Sequence, residues 1–240
     1  MRIEIIYPEI ANLLGEHGTQ QLLRECFKDE EIIWTHYPEL PQFFTNDVDF
    51  VYMGGMTEHS QELVLELWRP HADQFRSQID KGLCGFFAGN SLDLLGRNII
   101  HEEGRTIQAL GLYPFDTYCN QFDRINEIVT GDFRDFELMG YRSQFTSHKG
   151  DSSAYPFIEV KNGSGMNPSV QTEGIAEKNF FASSLTGPFL ILNPEFTKWL
   201  FSLFAYEGEL PFEADLMAAA KLRREDLSRH FDKKVLKKKK

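Results

Sequence analysis

The chain has 240 residues, 42% of them hydrophobic and 25% charged, which is ordinary for a globular protein and excludes a disordered or collagen-like one. The formal net charge is −11, yet the last twenty residues carry ten Lys or Arg against three acids, so that segment is +7 and residues 1–220 are −18. So acidic a body excludes broad nucleic-acid contact; no apolar run nears the roughly 18 residues of a membrane span, and residues 1–14 lack a signal pattern, so a cytoplasmic location is expected.

The first half alternates strand and helix. Residues 2–7 (RIEIIY) are a β-branched run that Pro8 ends, and a helical stripe of Leu22, Leu23, Cys26 and Phe27 follows over 19–29. Residues 31–37 (EIIWTHY) read as a second strand stopped before Pro38, and 50–53 as a third that runs into Gly54-Gly55. Helices are predicted over 60–67 and 72–79, divided at Pro70. Residues 82–88 (GLCGFFA) are apolar without alternation, as in a strand covered on both faces. This order predicts an α/β protein of three layers, a mainly parallel sheet flanked by helices.

The second half changes character. Shorter strands are predicted over 110–119, 124–131, 135–146 and 156–161, a Gly- and Asn-rich loop over 162–173, and a strand over 174–183. A helix from 194 to 205 starts with Pro at its first position, and a long one covers 212–235. No repeat or linker divides the chain, so a single domain over 1–240 is expected, with a C-terminal helix and basic tail at about 212–240. Phe43, Phe44, Phe180, Phe181, Phe201 and Phe204 read first as core, with a partner surface as the alternative for some of them.

Cys26, Cys84 and Cys119 form no C-x-x-C pair, and His17, His36, His59, His71, His101, His148 and His230 show no close-spaced ligand pattern. Neither a metal nor another cofactor is expected. The basic tail ending at residues 237–240 reads first as a solvated helix end; the alternative is contact with an acidic partner or anionic lipid surface.

In parallel sheets, ligands bind beyond the carboxyl ends of the strands. Two such ends are unusual here. Met53-Gly54-Gly55-Met56 sets adjacent glycines where backbone N–H groups can form an anion-binding concavity, or simply a tight turn. Ala88-Gly89-Asn90-Ser91-Leu92-Asp93-Leu94-Leu95-Gly96 stops a buried strand and begins a short helix, the layout of a nucleophile elbow.

On these residues the chain resembles the class I glutamine amidotransferases of the cobyric-acid-synthase type. Among them it resembles the amidotransferase subunits of lipid II isoglutaminyl synthase, which work with a Mur-ligase-like partner. Residues 7–18 (YPEIANLLGEHG) are similar to the family's opening motif, 53–66 to its I-G-G-G stretch and following helix, and 82–96 to its elbow strand and L-L-G helix. The loop 163–174 ends in E-G as the family's does, and 185–194 (LTGPFLILNP) is similar to its L-H-G-P-L-L-x-x-N-P segment. The resemblance implies a flavodoxin-like fold and a glutaminase in which a Cys thiolate, activated by a His, attacks an amide.

Against that pattern, A-I-C-G-G-F-Q-L-L-G in the family, this chain reads F-A-G-N-S-L-D-L-L-G. The nucleophile's position holds Gly89 and the catalytic His falls on Thr186. Asp93 takes the place of a Gln, and Arg142 and Gln144 stand where the family tends to have an acid and a His. Gly54, Gly55, Met56, Asn90, Ser91, Asp93, Arg142 and Gln144 are therefore expected to line a pocket whose catalytic Cys and His are gone. Cys84, five residues upstream, lies roughly 16 Å along the strand and reads as a packed hydrophobe. Ser91 needs an aligned base; His59 or His148 is conceivable, and helix capping is preferred.

The expected function is a catalytically degenerate amidotransferase-like subunit that binds or regulates a Mur-ligase-like synthetase, with a small amide or amino-acid ligand in the old pocket. Two alternatives stand beside it. One is an active amidotransferase that uses an unidentified nucleophile to supply ammonia for amidation of a cell-wall precursor or cobyric-acid-like substrate. The other is a scaffold or membrane-surface protein that uses the Lys-rich tail.

Overall fold

The computed structural model describes residues 1–151, 154–167 and 169–238, with side chains through residue 231. The chain begins β1 (Arg2–Ile6), α1 (His17–Cys26), β2 (Glu31–Thr35), β3 (Phe50–Met53), α2 (Glu58–Trp68), α3 (Ala72–Lys81) and β4 (Gly85–Ala88). Local chemistry sets these bounds. The Thr57 hydroxyl caps α2 by accepting from the Ser60 N–H at 3.1 Å, and Gly82, at φ 98°, closes α3 in the left-handed conformation.

Beyond a short 3-10 helix, Gly89–Leu95, come β5 (Asn98–His101), β6 (Thr106–Gln108), β7 (Phe115–Cys119), β8 (Ile125–Phe133), β9 (Phe136–Gln144) and β10 (Thr146–Gly150). The chain ends with β11 (Pro156–Asn162), β12 (Thr172–Glu177), β13 (Phe180–Ser183), α4 (Phe189–Leu192), α5 (Pro194–Ser202) and α6 (Glu213–Lys238).

The main sheet runs β2-β1-β3-β4-β13-β12-β11-β8-β9. Its first five strands are parallel, and the remaining four extend it antiparallel. Strands β3 and β4 are buried on both faces. Val51, Met53 and Phe87 point into a core shared with Val64, Trp68 and Phe75 of α2 and α3. Phe50, Tyr52 and Phe86 point into the opposite core, shared with Leu23, Phe189, Phe196 and Phe201. This is the three-layer α/β arrangement expected from the unbroken apolar run of β4. Phe43, Phe44, Phe180, Phe181 and Phe201 are buried, and Phe204 packs half-buried against them.

The second half departs in detail from the sequence expectation. Residues 174–183 are a hairpin, not one strand, because the chain reverses at Lys178, whose φ is 54°. Residues 135–146 split near Phe145, where the chain leaves the main sheet. β10 then joins a four-stranded sheet ordered β10-β7-β5-β6, and neither β5 nor this sheet was expected. The expected strand 110–119 contracts to β7. In the loop 162–173, Pro168 lies outside the described residues. So do residues 239 and 240 and the side chains from 232 on, and with them the Lys-rich tail. No described helix is long and apolar enough to cross a membrane.

Candidate functional site

Three adjacent parallel strands, β3, β4 and β13, end side by side, with Met53 opposite Phe87 and Ser183 opposite Ala88. Beyond those ends lies a crevice of about 310 Å³. Its floor is Gly55, Met56, Gly89 and Asn90; one wall is Ser184 and Thr186; the other carries Ser143, Gln144 and Thr146; Leu13 and Leu14 stand at the mouth.

Gly89 takes φ 65° at the strand-to-helix turn, the strained geometry of an elbow apex, which glycine adopts at no steric cost. A Cβ there would stand 2.9 Å from Thr186 Cγ2 and 3.1 Å from Gly55 Cα. Thr186 is held by its backbone and side chain alike. It forms a two-bond bridge with Tyr141, and its hydroxyl donates to the Tyr141 carbonyl at 3.0 Å. That bond turns the hydroxyl away and leaves the methyl over the apex.

The other residues singled out from the sequence divide into two groups. Gly55, Met56, Asn90 and Gln144 line the crevice together with Gly89 and Thr186. Gly54, Ser91, Asp93 and Arg142 are not among its lining residues. A Cβ on Gly54 would meet the Ala11 carbonyl at 2.4 Å, so the glycine permits β3 to pass tightly under the segment before α1. Ser91 is buried and its hydroxyl donates back to the Ala88 carbonyl at 2.7 Å, a local back-bond inside the short helix rather than a cap. Asp93 shares a 2.6 Å hydrogen bond with His148 Nε2 and accepts from Gln61 Nε2 at 3.2 Å, all three side chains being buried. His148 is thereby engaged away from Ser91, and His59 is exposed on α2.

Arg142 is 2% exposed and reaches Glu173, 0% exposed, at 2.7 Å and Glu127 at 2.8 Å, with Ser184 and Ser164 as further acceptors. Glu173 in turn accepts from Ser183 Oγ and from the Ser184 N–H and hydroxyl. A buried guanidinium needs this complete partner set. It fastens the strand ends behind the crevice.

Cys84 is buried with its thiol toward the Leu200 carbonyl at 3.9 Å, and burial pushes that thiol up to about 12. Burial likewise raises Cys26 to about 12 and Cys119 to about 11. At neutral pH all three are thiols, the unreactive form. Among the described residues no group of three or more His, Cys, Asp or Glu side chains is placed to hold a metal ion.

One crevice residue, Arg124, and one buried residue close by, Glu16, were not marked as site residues by the sequence. Arg124 stacks over Phe145, 5.1 Å from the ring centroid, and donates to Ser143 Oγ at 3.1 Å at the crevice edge. It precedes β8 in a turn that carries no motif. Glu16 is buried beneath the mouth, where its carboxylate accepts from Tyr52, Thr19 and the N–H groups of Gly187 and Phe189. Burial raises its pKa, more than these donors lower it. Its signal was its place in Gly15-Glu16-His17-Gly18.

A parallel sheet with an elbow after β4, a glycine turn after β3 and a second loop crossing from β13 defines a protein of the class I glutamine amidotransferase fold. The sequence profile of the CobB/CobQ-like glutamine amidotransferase domain matches residues 7–193, and the chain belongs to that family. It is 26% identical over 171 residues to the lipid II isoglutaminyl synthase (glutamine-hydrolyzing) subunit GatD of Staphylococcus aureus (strain N315), covering 70% of this chain and 68% of that one. The crystal structure of a glutamine amidotransferase superposes with a TM-score of 0.56 at 11% identity, over 84% of this chain and 98% of the other, a likeness of fold.

Proposed function

We propose that this chain is a catalytically degenerate amidotransferase-like subunit. In this reading it binds or regulates a Mur-ligase-like synthetase and holds a small amide or amino acid in its crevice without hydrolysing it. One observation carries the reading. The apex of the elbow has no side chain, and the Thr186 methyl fills the space that a side chain would enter. The attack on an amide needs a thiolate at the apex and an imidazole beside it. Glycine and threonine supply neither.

An active enzyme with another nucleophile is the less supported reading. Ser91 Oγ is spent on the Ala88 carbonyl, and Cys84 is a buried thiol just before the start of β4, at the end opposite the elbow. Arg124 supports retention of a ligand, because its guanidinium reaches the crevice edge with a serine hydroxyl as its side-chain acceptor and can take a carboxylate. The partner rests on the relationship to GatD, which is by name the subunit of a synthase.

The test is to purify this chain with a candidate Mur-ligase-like synthetase from the same organism and assay amidation. The reading expects a stable complex in which the synthetase uses ammonium salts but not glutamine. Amidation driven by glutamine would overturn the degeneracy, and failure of the two chains to associate would overturn the partnership.

A further inference from the structure

We infer that Asn90 is a built-in plug: its carboxamide occupies the turn in which a nucleophile elbow holds a developing oxyanion. The crevice then accepts a neutral, planar amide and rejects a tetrahedral anion. The inference rests on the reading of the crevice as a disused hydrolytic site, and its test does not depend on whether the site still turns over.

In an elbow, the anion is held by the N–H of the residue after the apex and by an N–H from a neighbouring loop. The apex here is Gly89, the residue after it is Asn90, and the neighbouring loop is the glycine turn at the end of β3. The Met56 N–H in that turn donates to Asn90 Oδ1 at 2.8 Å, and Asn90 Nδ2 donates back to the Met56 carbonyl at 2.7 Å. One side-chain amide thus satisfies both backbone groups of a single residue. Gln61 Nε2 donates to the Asn90 carbonyl at 2.7 Å and fixes the backbone from which the plug projects. A Cβ on Gly55 would sit 3.5 Å from Asn90 Oδ1, so the carboxamide lies in ordinary contact with the glycine turn.

The chemical consequence follows from what an anion must displace. It needs a free N–H, and Met56 offers one that is already bound to a carboxamide which returns a second bond. Removing one donor from an oxyanion site costs about 10²- to 10³-fold in rate. The plug therefore adds a third loss to those at Gly89 and Thr186. It also explains how the turn stays satisfied without a ligand, since a desolvated N–H needs a partner.

The experiment follows the Met56 amide of the isotope-labelled full chain by NMR while sodium sulfate is added as the anion probe. In the wild type this amide should be protected from hydrogen exchange and should not respond to sulfate. In Asn90→Ala and Asn90→Gly it should shift saturably, with sulfate bound about tenfold or more tightly than by the wild type, a fraction of one donor's worth. Asn90→Asp keeps the accepting oxygen and should stay unresponsive.

A wild-type Met56 amide that titrates like Asn90→Ala, or that exchanges at the rate of an open loop, would overturn the plug. So would an Asn90→Gly chain, folded by its melting curve, whose Met56 amide ignores sulfate. Should the small variants fail to fold, wild-type exchange and Asn90→Asp decide alone. Ammonia release from glutamine by the wild type would remove the degenerate reading and leave the titration to judge the plug.

Discussion

The Thr186 methyl stands over Gly89, 2.9 Å from where a Cβ on that glycine would be, and Thr186 is tied there by three hydrogen bonds to Tyr141. Each residue therefore requires the other to be as it is. Gly89→Cys would meet the methyl and the Gly55 backbone, and it would pay the left-handed backbone cost at φ 65°. It should lose about 1–3 kcal/mol of stability in urea denaturation. In a Thr186→Ala background the loss should shrink by about 1 kcal/mol. Equal losses in both backgrounds would mean that the two positions do not compete for space.

The Asp93–His148 contact joins the helix after the elbow to the four-stranded sheet, between two side chains each 1% exposed. Asp93→Ala leaves His148 Nε2 and Gln61 Nε2 without that acceptor in a buried site. The expected destabilisation is about 3 kcal/mol. Combining Asp93→Leu with His148→Phe should cost less than the sum of the single changes, and a strictly additive pair would refute the coupling.

Burial separates two arginines of the same region. Arg142→Met strands Glu173 in the interior with only serine donors, and should cost about 3–5 kcal/mol. Arg124→Met, at the crevice edge, should change stability by under about 0.5 kcal/mol while weakening any carboxylate-bearing ligand. Denaturation and calorimetry on the two variants separate these roles.

Glu16 sets a pH dependence with a definite sign. Its folded pKa is raised by burial, so between the ordinary carboxyl value of 4.5 and the raised one the folded chain holds a proton that the unfolded chain has lost. Stability from this group is full below the unfolded value of 4.5 and is lost as pH rises through the folded pKa. Wild-type stability should therefore fall relative to Glu16→Gln as pH increases from 4.5. A difference that grows in the opposite direction would contradict the assignment.

Much of the parallel half was legible because each element carries its own local signal: the apolar run of β4, the Pro70 break, the glycines after β3. That a glycine, Gly89, stands at the turn after β4 was also legible, since it needs only residue identity in a known register. What sequence could not supply was juxtaposition. Asn90 closing on the Met56 backbone depends on two loops meeting 34 residues apart, and Asp93 meets His148 across 55. The strands β5 and β6 are four and three residues long, too short for alternation to register, so the second sheet and the polar face it presents had no signature. Arg142 read as a pocket residue because a charged side chain near a site suggests a ligand; only the carboxylates of Glu127 and Glu173 explain its burial.

Ammonia release from glutamine, measured with the full chain alone and with the proposed Mur-ligase-like partner added, is the deciding measurement. The account predicts none above the buffer blank in either state, and no change on Ser91→Ala or Cys84→Ala. Release that rises with protein concentration and disappears in either variant would contradict it.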